Sequence, residues 1–68
     1  MERTVVKVDG MTCAGCVRSV TNVLQALPGV ETAVVSLEQG QATVSFDAEQ
    51  ISVESLRRAI EDAGYETR

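Results

Sequence analysis

The sequence predicts an α+β domain in which four strands form one antiparallel sheet and two helices cover one of its faces. Apolar residues alternate through the β-branched stretches 4–8, 30–37 and 42–46, and they recur at helical spacing through 17–27 and 53–63. Glycine, proline and short polar runs punctuate these stretches. The length of 68 residues allows a single domain, spanning 1–68. Its core must be thin, because a chain of this size hides only about 60% of the surface exposed when unfolded.

The elements follow in order. Thr4 to Val8 is β-branched apart from Lys7 and reads as the first strand, with Val6 and Val8 on one face. Asp9-Gly10 breaks it. Val17, Val20, Leu24 and Leu27 recur at spacings of three, four and three, a helical stripe that Arg18, Asn22 and Gln25 avoid. Pro28-Gly29 ends that helix. Val30 to Leu37 is the second strand, with Ala33, Val35 and Leu37 sharing a face. Glu38-Gln39-Gly40-Gln41 is the polar link of a hairpin. Ala42, Val44 and Phe46 then alternate with Thr43 and Ser45 in a third strand, and Asp47 to Gln50 is a polar loop. Ser52 suits the N-cap of a second helix. Ile51 and Leu56 are placed for a hydrophobic staple around it. Val53, Leu56, Ala59, Ile60 and Ala63 make the stripe of that helix, and Gly64 suits the left-handed residue at its end. Tyr65-Glu66-Thr67 leaves room for a short last strand. The order strand, helix, strand, strand, helix, strand fits the ferredoxin-like βαββαβ sandwich.

Composition narrows the function. Hydrophobic residues make up 44% of the chain and charged residues 24%, ordinary globular usage. With one Phe, one Tyr and no Trp, the core must be aliphatic. So little material does not build a deep substrate cleft, and an enzyme is not expected. The net charge of −4 disfavours nucleic acid, whose binders replace phosphate counterions with cations. It equally disfavours anionic membrane surfaces. The longest internal apolar run, Ala33-Val34-Val35, is far short of the ~20 residues that span a bilayer, so no membrane insertion is expected. Met1-Glu2-Arg3-Thr4 opens no apolar signal segment, and the cytoplasm is the expected location.

The chemistry is concentrated in Gly10-Met11-Thr12-Cys13-Ala14-Gly15-Cys16, which holds the only two cysteines. They lie where a strand passes into a helix. Unpaired N–H groups and the positive end of the helix dipole there favour thiolate over thiol. Ala14 and Gly15 are small and leave the sulfurs open to a partner.

Several uses of such a pair compete. A structural disulfide is disfavoured by a reducing cytosol, and so short a loop would constrain the unfolded chain little. Structural zinc and iron–sulfur clusters each need about four protein ligands. The chain has two Cys and no His, with Asp9 only at the loop's edge. A thioredoxin-like redox dithiol shares the C-x-x-C spacing and is the alternative from another functional class. Against it, no aromatic precedes Cys13, and the only proline, Pro28, lies at a helix end. A soft monovalent ion suits two thiolates best. Cu(I) accepts low coordination and sulfur ligands, and an incomplete shell lets an incoming thiolate bind before an old one leaves. The same openness lets Cu(I) bridge two chains as a homodimer.

Gly10 to Cys16 resembles the G-M-x-C-x-x-C loop of the heavy-metal-associated domain family. The resemblance continues through Val6 and Val8, Leu27-Pro28-Gly29-Val30, the Gly40 hairpin, Val44-Ser45-Phe46-Asp47 and Ala59-Ile60-Glu61-Asp62-Ala63-Gly64-Tyr65. Within the family the likeness is to small bacterial copper chaperones. It implies Cu(I) binding by Cys13 and Cys16. It implies delivery to the metal-binding domain of a copper-transporting P-type ATPase, and to a copper-responsive repressor. Alternatives within the family are an N-terminal domain of such an ATPase and a carrier of mercury, zinc or cadmium. The resemblance also implies that Met11 pins the loop to the core and that Tyr65 returns beside it, shielding the metal or hydrogen bonding toward a sulfur. Eukaryotic relatives place Lys at that position. Thr12 reads as a cap or loop hydroxyl. Zinc- and cadmium-exporting relatives carry Asp at its position, so a neutral Thr tilts the choice toward copper. Gly10 and Gly15 serve backbone freedom and access. Arg18 and Arg57-Arg58 read as solvated.

Overall fold

Alternating β-branched and polar residues commit residue 2 onward to an extended strand, and the period of two decides which side chains face inward. In the computed structural model, which describes residues 1–67, the chain runs β1 (Glu2–Asp9), α1 (Ala14–Gln25), β2 (Val30–Ser36), β3 (Gln41–Phe46), α2 (Val53–Asp62) and β4 (Glu66–Thr67). The sheet order is β2-β3-β1-β4 and every neighbouring pair is antiparallel. This is the ferredoxin-like arrangement expected from the sequence.

The register stacks the inward residues in rows across the sheet. Ala42 stands between Val6 and Val35, Val44 between Thr4 and Ala33, and Phe46 between Glu2 and Val30. Val6, Val8, Ala33, Ala42, Val44 and Phe46 share one core with Val20 and Leu24 of α1 and Leu56 and Ile60 of α2. One core fed by both helices means that both cover the same sheet face. Burying each such Val, Leu or Ile contributes roughly 1.5–3 kcal/mol. No helix among the described residues is long and apolar enough to cross a membrane.

Ser52 caps α2 as expected: its hydroxyl accepts the Ser55 N–H at 3.3 Å. At the other end Gly64 has φ +102. Its N–H reaches the Glu61 carbonyl at 3.0 Å, and the Tyr65 N–H reaches the Ile60 carbonyl at 3.3 Å. That pair of bonds is the Schellman motif, which needs a left-handed residue at this point.

Three expected positions shift. Leu27 lies beyond α1, whose C-cap is Ala26. It still packs against the core, because its N–H continues the last turn to the Leu24 carbonyl at 3.1 Å. Leu37 lies outside β2 and is 41% exposed. The hairpin closes there, with the Gly40 N–H on the Leu37 carbonyl, and the pairing of β2 with β3 ends at Ser36. Ala63 is the exposed C-cap of α2 rather than part of its stripe. β2 also carries an irregularity between Val30 and Thr32, where the pairing steps out of register with β3.

Candidate metal centre

The strand-to-helix loop starts at Gly10, whose φ of +96 turns the chain out of β1. A Cβ here would meet the Tyr65 ring at 3.7 Å, an ordinary contact, so the positive φ and not lack of space is what calls for glycine, and the ring stands beside the loop. Met11 follows, half-buried and packed against the core. Thr12 is exposed. Cys13, and not Thr12, is the N-cap of α1, because the helix starts at Ala14. Its backbone is extended (φ −155, ψ 167), and its carbonyl accepts the N–H groups of Cys16 at 3.0 Å and Val17 at 3.3 Å. Its side chain makes no capping bond. The N-cap position, most often filled by Ser, Thr, Asp or Asn, here carries a sulfur left available for something else.

Cys16 lies one helical turn on, on the same side as Cys13. The two thiols are free, with Sγ atoms 3.1 Å apart. Cys13 is exposed and Cys16 half-buried. The Cys16 thiol is lowered from an ordinary 9.0 to about 6, first by its hydrogen bond with the Cys13 thiol, then by the Thr12 main chain and the Tyr65 hydroxyl. Tyr65 shows the reciprocal effect. Its hydroxyl is raised above 10.0, first because it donates to Cys16, then through desolvation and the nearby sulfur charge. Among the described residues no three His, Cys, Asp or Glu side chains gather as a metal site. The arrangement is thus a two-sulfur set with one sulfur ionised near neutral pH, open on one side. Such a set favours soft cations and leaves coordination positions to an incoming ligand.

The structure brings Gly10, Thr12, Cys13, Cys16 and Tyr65 into one cluster, with Met11 facing the core beneath. Ser19 was not anticipated. It hydrogen bonds the Tyr65 hydroxyl and tempers the rise in its pKa. Extending the Cys13–Cys16 spacing by three more residues along α1 would have pointed to it.

The heavy-metal-associated domain matches the chain over residues 5–66. The chain belongs to the heavy-metal-associated domain family. This heavy-metal-associated domain is 44% identical to the copper chaperone CopZ of Bacillus subtilis (strain 168) over 66 residues, 97% of this chain and 96% of that one. It is 48% identical over 63 residues to the copper-transporting ATPase 2 of Homo sapiens, covering 93% of this chain but 4% of that much longer protein. Among solved structures it superimposes on a copper binding domain of a P-type ATPase with a TM-score of 0.98 and 43% identity, covering 100% of this chain and 92% of that one.

Proposed function

We propose that the protein is a non-catalytic Cu(I) metallochaperone: Cys13 and Cys16 take up cuprous ion and pass it on by thiolate exchange. One observation carries the reading. Two free thiols stand 3.1 Å apart at the start of a helix, and among the described residues no His, Asp, Glu or further Cys joins them as a third ligand. A storage or structural site would be coordinatively closed. An open pair instead admits a third sulfur from an acceptor before one of its own bonds breaks, so the ion is never released free. Cys13, the more exposed sulfur, is the natural first to exchange. Cys16, half-buried and hydrogen bonded by Tyr65, is the natural last to leave.

The acceptor this chemistry fits is a domain of the same kind, such as the metal-binding domain of a copper-transporting P-type ATPase. The similarity of this chain both to a free chaperone and to ATPase domains supports that pairing. A copper-responsive repressor offering exposed thiolates would receive the ion by the same exchange. A reducing compartment, the cytoplasm, keeps both thiols free. Residues 1–68 act as one heavy-metal-associated domain. The 43% identity and TM-score of 0.98 to an ATPase domain support a second reading, in which the same unit serves as the metal-binding domain of such an ATPase.

The test is an anaerobic titration with Cu(I) against a chromophoric Cu(I) chelator, then mixing with an isolated ATPase metal-binding domain. One tightly held Cu(I) per chain, lost in Cys13→Ser and Cys16→Ser, and passage of copper to the acceptor are expected. A Cys13→Ser protein with wild-type affinity would overturn the ligand assignment.

A further inference from the structure

The strand that follows Tyr65 is short. β4 comprises only Glu66 and Thr67, paired to β1 through Asp9↔Glu66 and Val8↔Thr67. Two ladder pairs at a chain end are a weak anchor. Yet the residue just before them sets its ring beside Gly10 of the cysteine loop, with its hydroxyl acting on the Cys16 thiol. Something else must hold this segment in place.

On the helix side the Schellman bonds do so, with the Gly64 N–H on the Glu61 carbonyl and the Tyr65 N–H on the Ile60 carbonyl. On the strand side, Thr67 stands opposite buried Val8 and so shares the inner face of the sheet, where the last turn of α2 passes. Its hydroxyl donates to Oε2 of Glu61 at 2.8 Å. Glu61 thus grips the segment twice, by its main chain at Gly64 and by its carboxylate at Thr67. The acceptor is charged, which strengthens the bond. The donor sits on a β-branched side chain with a stiff χ1, so the hydroxyl moves with the strand.

We infer that Glu61 and Thr67 form a latch that holds the Tyr65 hydroxyl against the Cys16 sulfur. Both are positioning residues: they act through Tyr65 and touch neither sulfur. The consequence for copper retention rests on the chaperone reading above; the positioning of Tyr65 does not.

Tyr65 is the only tyrosine and the chain has no Trp, so intrinsic emission reports this one ring. In the copper-free full chain, Thr67→Val and Glu61→Ala lower the Tyr65 emission anisotropy. Glu61→Gln, whose amide oxygen still accepts, restores most of it. In the copper-loaded protein the first two variants give up Cu(I) to a chelator roughly three- to tenfold faster than wild type. In a Tyr65→Phe background Thr67→Val adds nothing, because the group it positions is gone. Unchanged anisotropy in Thr67→Val overturns the latch. So does an acceleration of the same size in the Tyr65→Phe background, which would reveal a structural effect alone. A wild-type chain that fails to bind Cu(I) would overturn the proposed function instead, and the copper-free anisotropy would still decide the latch. The Glu61 and Thr67 exchanges lie outside the core cluster, and a thermal melt of each variant checks that it folds.

Discussion

The Tyr65 hydroxyl, arriving from beyond α2, donates a hydrogen bond to the sulfur of Cys16 in the first turn of α1. A donor fixed on a sulfur stabilises the thiolate more than the thiol. It therefore acts on the side chain whose charge a metal would need. Removing it tests that role directly. Tyr65→Phe keeps the ring over Gly10 and deletes only the donor. The Cys16 thiol should then titrate above about 6, moving part of the way toward 9.0, as followed by thiolate absorbance in the ultraviolet. Cu(I) affinity should fall by roughly tenfold, the lower end of what loss of a group supporting a metal ligand costs. An unchanged titration would show that the Cys13 thiol and the Thr12 main chain alone set the value.

The same depression makes the copper-free fold sensitive to pH. Between about 6 and 9.0 the folded chain carries a Cys16 thiolate where the unfolded chain carries a thiol. The unfolded state binds more protons in that window, so stability rises with pH across it and is lost as pH falls through about 6. Tyr65 acts in the opposite sense at higher pH. Its raised hydroxyl contributes stability below 10.0 that is lost as pH climbs through the raised value. Urea midpoints of the reduced chain should rise from the acid side to a plateau. Cys16→Ser should remove the acid limb, and a limb that survives in that variant would place the titration elsewhere.

How far the sequence reveals this molecule depends on what each feature is made of. Val6 and Val8, or Ala42, Val44 and Phe46, announce their shared face because alternation is a property of the backbone itself. Leu37 and Ala63 mislead for the complementary reason. Each continues an apolar pattern one step past the place where hydrogen bonding ends the element. Cys13 and Cys16 are legible as a pair because residue type and helical spacing suffice to put them on one side of α1. Their 3.1 Å approach is not legible, since it depends on two side-chain rotamers. Tyr65 is far from them in sequence and is brought back by the C-terminal turn of α2 together with the β1–β4 pairing, so family resemblance pointed to it and periodicity could not. Ser19 continues the Cys13–Cys16 spacing along α1 and was legible in principle, whereas the Glu61–Thr67 bond leaves no sequence signal, because it depends on tertiary placement of one hydroxyl.

Met11 separates anchoring from ligation. It is half-buried and packs against the core. Met11→Leu exchanges side chains of similar volume, and such swaps usually cost under about 1.5 kcal/mol of stability. Cu(I) affinity should remain within a few-fold of wild type. A collapse of affinity in a protein that melts normally would instead make the thioether a ligand.

Gly64 isolates backbone strain from steric clash. A Cβ added there meets nothing within 4 Å, yet the residue holds φ +102. Gly64→Ala should therefore destabilise by about 1–2 kcal/mol from left-handed strain alone. Gly64→Asn should cost less, because Asn tolerates that region. Thermal melts of the copper-free chain check both, and equal costs for Ala and Asn would show that the helix end has rearranged.

Copper loading should also change the state of association. The exposed Cys13 and the open set leave any bound Cu(I) short of ligands unless solvent, a small thiol or another chain supplies them. A second copy supplies two more sulfurs in the same geometry, so loading in the absence of small thiols should drive a monomer–dimer shift held by shared Cu(I). Sedimentation at increasing copper should show the heavier species, and excess glutathione should reverse it by competing for the open positions. Net charge opposes the association, since each chain carries −4 and each Cu(I) adds only one positive charge. Raising the ionic strength should therefore favour the dimer by screening that repulsion. A mass that stays monomeric at every copper loading would mean that the two thiolates, with solvent at most, satisfy the ion.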